Sequence, residues 1–508
     1  MATIFIAPGS ARGDGAAADR PTSFANAIRR AQPGDVLRLL PGTYRHPLVV
    51  ADKEASAEAP IVIRGGGGVV LDSGWEPNDP PDDPAEADHA QVKIVRSRGI
   101  TVCDLAIRNA WPTAVYIGDS QQVRLARLDI VGGTYAVFAQ GEATRDLLVE
   151  DNRWVQDETE RLIWSELTFD QIHEHRSHQE FDGDFFRAQS IRGFVTIRRN
   201  HVRHAFNGVH FFADKAEAAP GRFSINVEIC HNRFEYIRDN AVEPETTAVN
   251  WWVHHNSFHN VYKLFSLERV AGGHWYIFAN TAWFDERPGP EHDCNRGGAV
   301  LKLKEVKPAK EAAELPRWPV WMFHNSLFLR SSYCKKGAIR HFTHANNAVQ
   351  YCDGTGGTAA ICRPGQAVFG PVPATPGCPA DPEGTRFTTE WERLDIRFFG
   401  DVWSHPDFPA GLQAQGYPVA GLGDPPGFTD PSHGDFRLRP GAAAAGRGAE
   451  LMVPMPDGTV WHSPAGLDAG AAQGGGSFGG PAYRPWRDTA PLGLPAVAVA
   501  APAPADGR

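Results

Sequence analysis

The chain lacks the marks of several protein classes, and each lack narrows what it can be. No run of about 18 apolar residues occurs, so no helix is expected to span a membrane and no membrane partner is expected. Basic residues are outnumbered, with Lys plus Arg at 50, Asp plus Glu at 60 and a formal net charge of -10. That balance argues against nucleic acid as a partner, yet leaves room for an anionic ligand at a locally basic site. The Met1–Ile6 start has no basic stretch followed by a long apolar segment and a cleavage site. The chain therefore reads as cytoplasmic, or as secreted with its signal removed, and the compartment stays open. Cysteine numbers 7, with no Cys-x-x-Cys pair, so a zinc centre built on cysteines is not expected. Cys103 and Cys230 fall in strand-like runs and read as buried, inert thiols. Cys352, Cys362 and Cys378 lie in a Gly/Pro-rich stretch and suggest one disulfide, with Cys294 and Cys334 as a further pair. Methionine is scarce, at 4 residues, while abundant Val, Ile, Phe and Trp favour strands over helices.

What is present is a repeat. Cys230–Phe234, His254–Phe258 and Phe278–Ala282 each follow a short apolar run, and their Asn232, Asn256 and Asn280 are spaced by 24 residues. A fixed period of about 20–30 residues, with Asn at one corner and short strands between turns, is the pattern of stacked parallel coils. The expected fold is all-β: a single right-handed parallel β-helix over 1–485, with long loops and an Ala/Pro-rich tail at 486–508. Ser23–Ala31 reads as a helix with Phe24, Ala27, Ile28 and Ala31 on one face. Followed by Pro33-Gly34 and a strand at 36–40, it makes residues 22–44 a lid for the first coil. Residues 165–184 interrupt the repeat as an inserted loop with three histidines, and 352–384 read as an irregular loop.

Side chains alternate across a strand, so equivalent strands of successive coils can be laid over one another from the asparagines. Val209, Phe211, Val242, Phe265 and Leu267 then fall inward. His210, Glu243 and Ser266 form one outward stack and Phe212, Glu245 and Glu268 its neighbour, with Lys302 and Lys304 continuing the face one residue out of step. At coil spacings of about 4.8 Å, Glu243, Glu245 and Glu268 come within one sugar ring of each other, flanked by His210 and Lys302. Three such carboxylates raise at least one pKa unless a cation sits among them. Glu243, Glu245, Glu268, His210, Lys302 and Lys263 are the candidate catalytic residues. Arg269, Asp214, Arg187, Asp239, Lys304 and Trp252 are candidates for substrate contact. Asp182, Asn207, Asn240 and Lys263 are placed together at the turn before this face. The His173-x-His175-x-x-His178 run reads as a solvated loop or a wall beside the groove, since its spacing matches no strict metal site. Trp111, Trp164, Trp251, Trp275 and Tyr262 join Trp252 as possible stacking platforms or packing residues.

The stretch Thr22–Tyr44, with its Pro-Gly-Asp and Pro-Gly-Thr-Tyr turns, the Asn coils from about 99 to 350, and the closing phrases Asp435–Gly441 and Gly466–Ala471 together resemble polysaccharide-lyase-like β-helix proteins. Asp182–Phe186 and the strand after it are similar to a pectate-lyase register, except that Phe186 stands where a second calcium-binding aspartate is expected and the arginine motif is missing. The resemblance implies a carbohydrate-active enzyme working on a polysaccharide or oligosaccharide in a groove on the outer face. Elimination from a uronate glycan needs its carboxylate neutralised, by Ca²⁺ or Arg/Lys, and a base for the adjacent proton. Glu243, Glu245 and Glu268 would hold the Ca²⁺ if there is one, with Lys302, Lys263 or His210 as base. The alternatives are a glycoside hydrolase using paired Glu and a non-catalytic glycan-binding β-helix.

Overall fold

A computed structural model describes residues 1–9, 12–74, 87–213, 222–245, 247–268, 270–286, 288–290, 299–304, 306–329, 333, 337–351, 370–372, 381–385, 394–404, 425–474 and 476–486. Thirty strands between Thr3 and Trp403 form one sheet that winds around itself. Each strand pairs in parallel with the equivalent strand one coil later, as Gln121–Val131 does with both Arg145–Glu150 and Arg153–Val155. The architecture is a parallel β-helix, wound in the right-handed sense that parallel crossovers take.

The interior is a set of apolar columns. Ile100, Val123, Leu147, Val195, Val227 and Trp251 follow one another in register, and none is more than 2% exposed. Burying each such side chain stabilises the coil by about 1.5–3 kcal/mol. The N-terminal opening is covered by the helix Phe24–Arg30, started by Ser23, whose side chain accepts from the Asn26 N–H, with Ala27 and Ile28 facing inward.

The asparagines form a continuous ladder. Each of Asn152, Asn200, Asn232, Asn256, Asn280 and Asn325 donates its backbone N–H and side-chain Nδ2 to Oδ1 of the next, at 2.8–3.0 Å. The residue before each is left-handed, including Arg199, His231, His255 and His324 at φ 51–58°. That backbone is uncommon for a residue with a Cβ; here it makes the sharp corner between two faces, and the buried ladder bonds offset its cost.

Beyond the coils, two antiparallel pairs fold back along the outside. Phe428–Asp430 with Asp435–Leu438 packs Phe428 and Phe436 against Phe328, Ala348 and Val402. Leu451–Pro454 with Val460–Ser463 packs Leu451 and Val453, together with Phe478, against Trp252, Tyr276, Phe278 and Phe323. Cys103 and Cys230 are free and buried; Cys294, Cys334, Cys352, Cys362 and Cys378, and the disulfides expected of them, lie outside the described residues.

Candidate active site

One outer face carries nearly all the candidate chemistry. It is built from Asp184–Gln189, Asn207–Phe212, the end of Arg233–Pro244, the end of Ser257–Ser266, and Ala299–Lys302. Parallel register stacks Arg187 beside His210 and His210 beside Glu243. Val242 opposite Phe265 sets Glu243 beside Ser266, and Ser266 pairs with Lys302. The turn column is Asp184, Asn207, Asn240 and Lys263. Asp184 takes the place expected of Asp182 because the strand begins two residues later than the Asp-Gly turn suggests.

Cations alternate with carboxylates along the stack. Asp184, fully buried, holds Arg187 Nη1 at 2.9 Å and His210 Nδ1 at 3.4 Å. His210 lies 3.8 Å from Glu243 through Nδ1 and 3.6 Å from Glu245 through Nε2. Lys302 Nζ sits 3.8 Å from Glu243 and 3.7 Å from Glu268. Asp239 occupies the irregularity where the register slips between Ile237 and Asn240. Its backbone N–H donates to Phe206, its residue is 6% exposed, and its Oδ1 is buried with no hydrogen-bond partner.

Proton affinities follow from this packing. Burial, opposed by the pull of Lys302 and aided by Glu243, lifts the Asp239 carboxyl to about 6. Lys302 is raised above the usual lysine value: burial works against its charge, and Asp239, Glu243 and Glu268 together outweigh burial. Glu245 is lowered by its interaction with His210. For His210, burial and the Arg187 charge oppose protonation, and Asp184 and Glu243 outweigh them, raising the ring to about 9. Arg187 Nη1 is 2.6 Å from His210 Nδ1, a distance at which Nδ1 accepts the guanidinium proton. The imidazolium and this contact exclude one another, so the contact belongs to the neutral ring.

The insertion reaches the same cluster. Thr168 and Gln171 form a reciprocal cap on the helix Phe169–Glu174, and Phe169 packs on Phe206 and Tyr262 at ring distances of 5.9 and 6.2 Å. His173 Nδ1 lies 3.1 Å from Asp182, whose hydrogen bond raises the imidazole, and His173 also feels Asp239 and Lys302. Asp184 is not among the expected residues, while Asp182, expected in the turn column, and His173, expected in a loop or wall beside the groove, meet each other at the edge of the cluster. The Asp182-Gly183-Asp184 repeat next to three histidines was the available signal, and only a folded insertion brings it to the groove.

Other expectations fare differently. Asp214 and Arg269 lie outside the described residues. Lys304 is exposed past the strand end, and Lys263 is 3% exposed with Nζ 4.6 Å from the Tyr262 ring centre. Trp252 is corrected: it stands on another face, fully buried beneath the returning C-terminal segment, its indole N–H donating to Asn250. Trp111, Trp164, Trp251 and Trp275 are likewise packing residues, at most 3% exposed.

The donor set does not suit Ca²⁺. Calcium takes six to eight oxygens around one point, whereas the Lys302 ammonium already stands between Glu243 and Glu268, and His210 between Glu243 and Glu245.

A separate carboxyl in the insertion has no part in this network. Glu180 is 4% exposed with both oxygens unpartnered, and burial pushes it up to about 7. Because its folded value exceeds its unfolded one, its contribution to stability is full below about pH 4.5 and is lost as pH rises through about 7. Glu180→Gln is therefore expected to stabilise the protein by about 1–3 kcal/mol at pH 8 and to change little at pH 4, read by urea unfolding.

No protein-family model matches the sequence, and no curated protein is recognisably similar. Among solved structures, a pectate lyase (Pel9A) aligns over 93% of this chain and 96% of its own at 11% identity, with a TM-score of 0.42. An alginate lyase (AlyGC) aligns over 91% and 55% at 11% identity and 0.45. The lacto-N-biosidase of Eubacterium ramulus aligns over 69% and 64% at 13% identity and 0.42. The chain thus spans under two thirds of the last two.

Proposed function

We propose that the protein is a carbohydrate-active enzyme that hydrolyses a glycosidic bond in the groove over Glu243, Glu268 and Lys302. The observation that carries this reading is Lys302 held among Asp239, Glu243 and Glu268, with Asp239 lifted to about 6. Two acids in contrasting environments divide the work of glycoside cleavage. Asp239, protonated below its raised pKa, donates to the glycosidic oxygen as the C–O bond breaks. Glu268, the more open of the two carboxylates on Lys302, with 22% side-chain exposure against 6% for Glu243, serves the sugar carbon or the attacking water. Lys302 stands between Glu243 and Glu268, and Asp184 and Arg187 flank His210 on the side away from Glu243.

Elimination is supported less well because its base is wanting. Lys302 is locked in its charged form, Lys263 lies buried against Tyr262, and His210 is either protonated or has its bare Nδ1 occupied by Arg187.

Incubation with neutral and uronate-containing polysaccharides tests the reading. New reducing ends without the ultraviolet absorbance of unsaturated uronates are expected, and Glu268→Gln should slow their release at least about 100-fold. Absorbing ends would establish elimination instead, and glycan binding without cleavage would establish a binding module.

A further inference from the structure

A second constellation lies on the far side of the corner made by the ladder. Cys230 ends the strand Ile225–Cys230 and stands beside His254, the end of Thr247–His254, one coil later. Ile229 packs inward, so Glu228 and Cys230 share the outer face. Cys230, buried as expected of it and with its thiol pushed up by that burial, thus lies on the side of the strand away from the coil interior. His231, the left-handed corner residue, is exposed. One ligand atom from each of Cys230, His231 and His254 lies within 4.8 Å of the others, and Glu228 Oε1 is 3.4 Å from His254 Nε2.

Hydrogen bonds behind these groups orient one of the rings. His255 Nε2 is 2.6 Å from the Phe478 carbonyl, an acceptor only, so that nitrogen carries a proton. The Nδ1 of the neutral His255 ring is then bare and accepts from His254 Nδ1 at 2.8 Å. His254 is left with Nε2 directed at the Glu228 carboxylate, two acceptors face to face. An acceptor pair of this kind is a place where a bound cation can sit. A metal ion would draw on Cys230, His231 and His254, whose ligand atoms already cluster, with the Glu228 carboxylate beside His254. A histidine with one ring N–H held by a fixed partner, leaving its other nitrogen open on the ligand side, is the second-sphere pattern of metal sites. The nearby cations Arg198 and Arg199 are compensated by Glu150 and Asp151 at 2.7–2.8 Å.

We propose that Cys230, His231 and His254, completed by Glu228, bind a borderline-soft divalent cation of the zinc type at this corner. Tetrahedral Zn–S and Zn–N bonds of about 2.3 and 2.0–2.1 Å require a contraction from the present spacing, which the exposed His231 side chain can supply by rotation. Binding releases the Cys230 proton to solvent. Through His255 and Phe478 the ion also fastens the returning C-terminal segment to the coils.

Cobalt(II) titration of the tag-free, reduced full chain, stripped with chelator, tests this. One equivalent should produce thiolate-to-cobalt charge-transfer absorption and tetrahedral visible bands, both erased by added Zn²⁺. Cys230→Ala should lose the charge-transfer band. His231→Gln, at an exposed position that leaves the fold intact, should weaken binding at least about 10-fold. Absence of the charge-transfer band in the unmodified chain, or undiminished binding by His231→Gln, would overturn the proposal in favour of a proton shared by His254 and Glu228.

Discussion

Asp239→Asn is expected to lower the rate of glycan cleavage by about 10²–10⁴-fold, the range contributed by a positioned general acid, with little change in KM. The amide preserves shape and the capacity to face Lys302, and it has no acidic proton to give. In the unmodified protein, activity should fall as pH rises through about 6, because the proton that burial and Glu243 hold on Asp239 is then lost. Stability follows the same sign. The folded value lies above the unfolded one, so the contribution of Asp239 is full below about pH 4 and declines as pH rises through about 6. Asn mimics the protonated state, and the variant should accordingly gain relative stability at pH 8. A variant within about 3-fold of full activity at pH 5 would remove Asp239 from the acid role. Combined with Glu268→Gln, the loss should be much smaller than the product of the two single effects, since both act on one bond.

The coil pattern was legible because it is enforced one residue at a time. A corner asparagine every 24 residues fixes the count, and period-two alternation fixes which side chains leave the core. Together they place His210, Glu243, Ser266 and Lys302 in one stack from the sequence alone. Asp239, expected as a substrate contact beside the turn column, lies in a register slip that sets it near Lys302 and Glu243. Other features escaped that count. His173 and Asp182 reach the cluster through the tertiary packing of an insertion with no period. Trp252 looked like an outward aromatic suited to sugars, and in the strand it does point outward. What covers it is a segment about 200 residues away, with Phe478 and Tyr483 in its shell. Long-range cover of that kind leaves no trace in local pattern. Cys230 is buried as expected, and its register with His254 adds what the apolar-looking strand does not show, which groups it is buried beside.

The ladder predicts a large stability effect from a change of one atom. Asn256 is 1% exposed. Its Oδ1 accepts from the backbone N–H and Nδ2 of Asn232, both at 3.0 Å. Its Nδ2 donates to the Ile229 carbonyl at 2.8 Å and to Asn280 Oδ1 at 3.0 Å. Asn256→Asp keeps the accepting half and turns the donating half into a second acceptor facing two oxygens. A loss of roughly 3–5 kcal/mol is expected, the scale of an unpaired buried charge. The loss should deepen from pH 5 to pH 8, because the introduced carboxyl can still donate once while protonated, and the carboxylate cannot donate at all. The chain supplies its own control at the ladder's far end. Asp401 stands where another asparagine would go, accepting from Asn347 N–H at 2.7 Å and Nδ2 at 3.1 Å through Oδ1. Its second oxygen faces His344 Nδ1 at 2.9 Å, a group able to donate. Asp401→Asn should therefore cost only about 1 kcal/mol. Urea unfolding of both variants at the two pH values checks the pair. If Asn256→Asp proved as mild as Asp401→Asn, the ladder would be a geometric consequence of the coils, held by backbone pairing alone, and no determinant of their register.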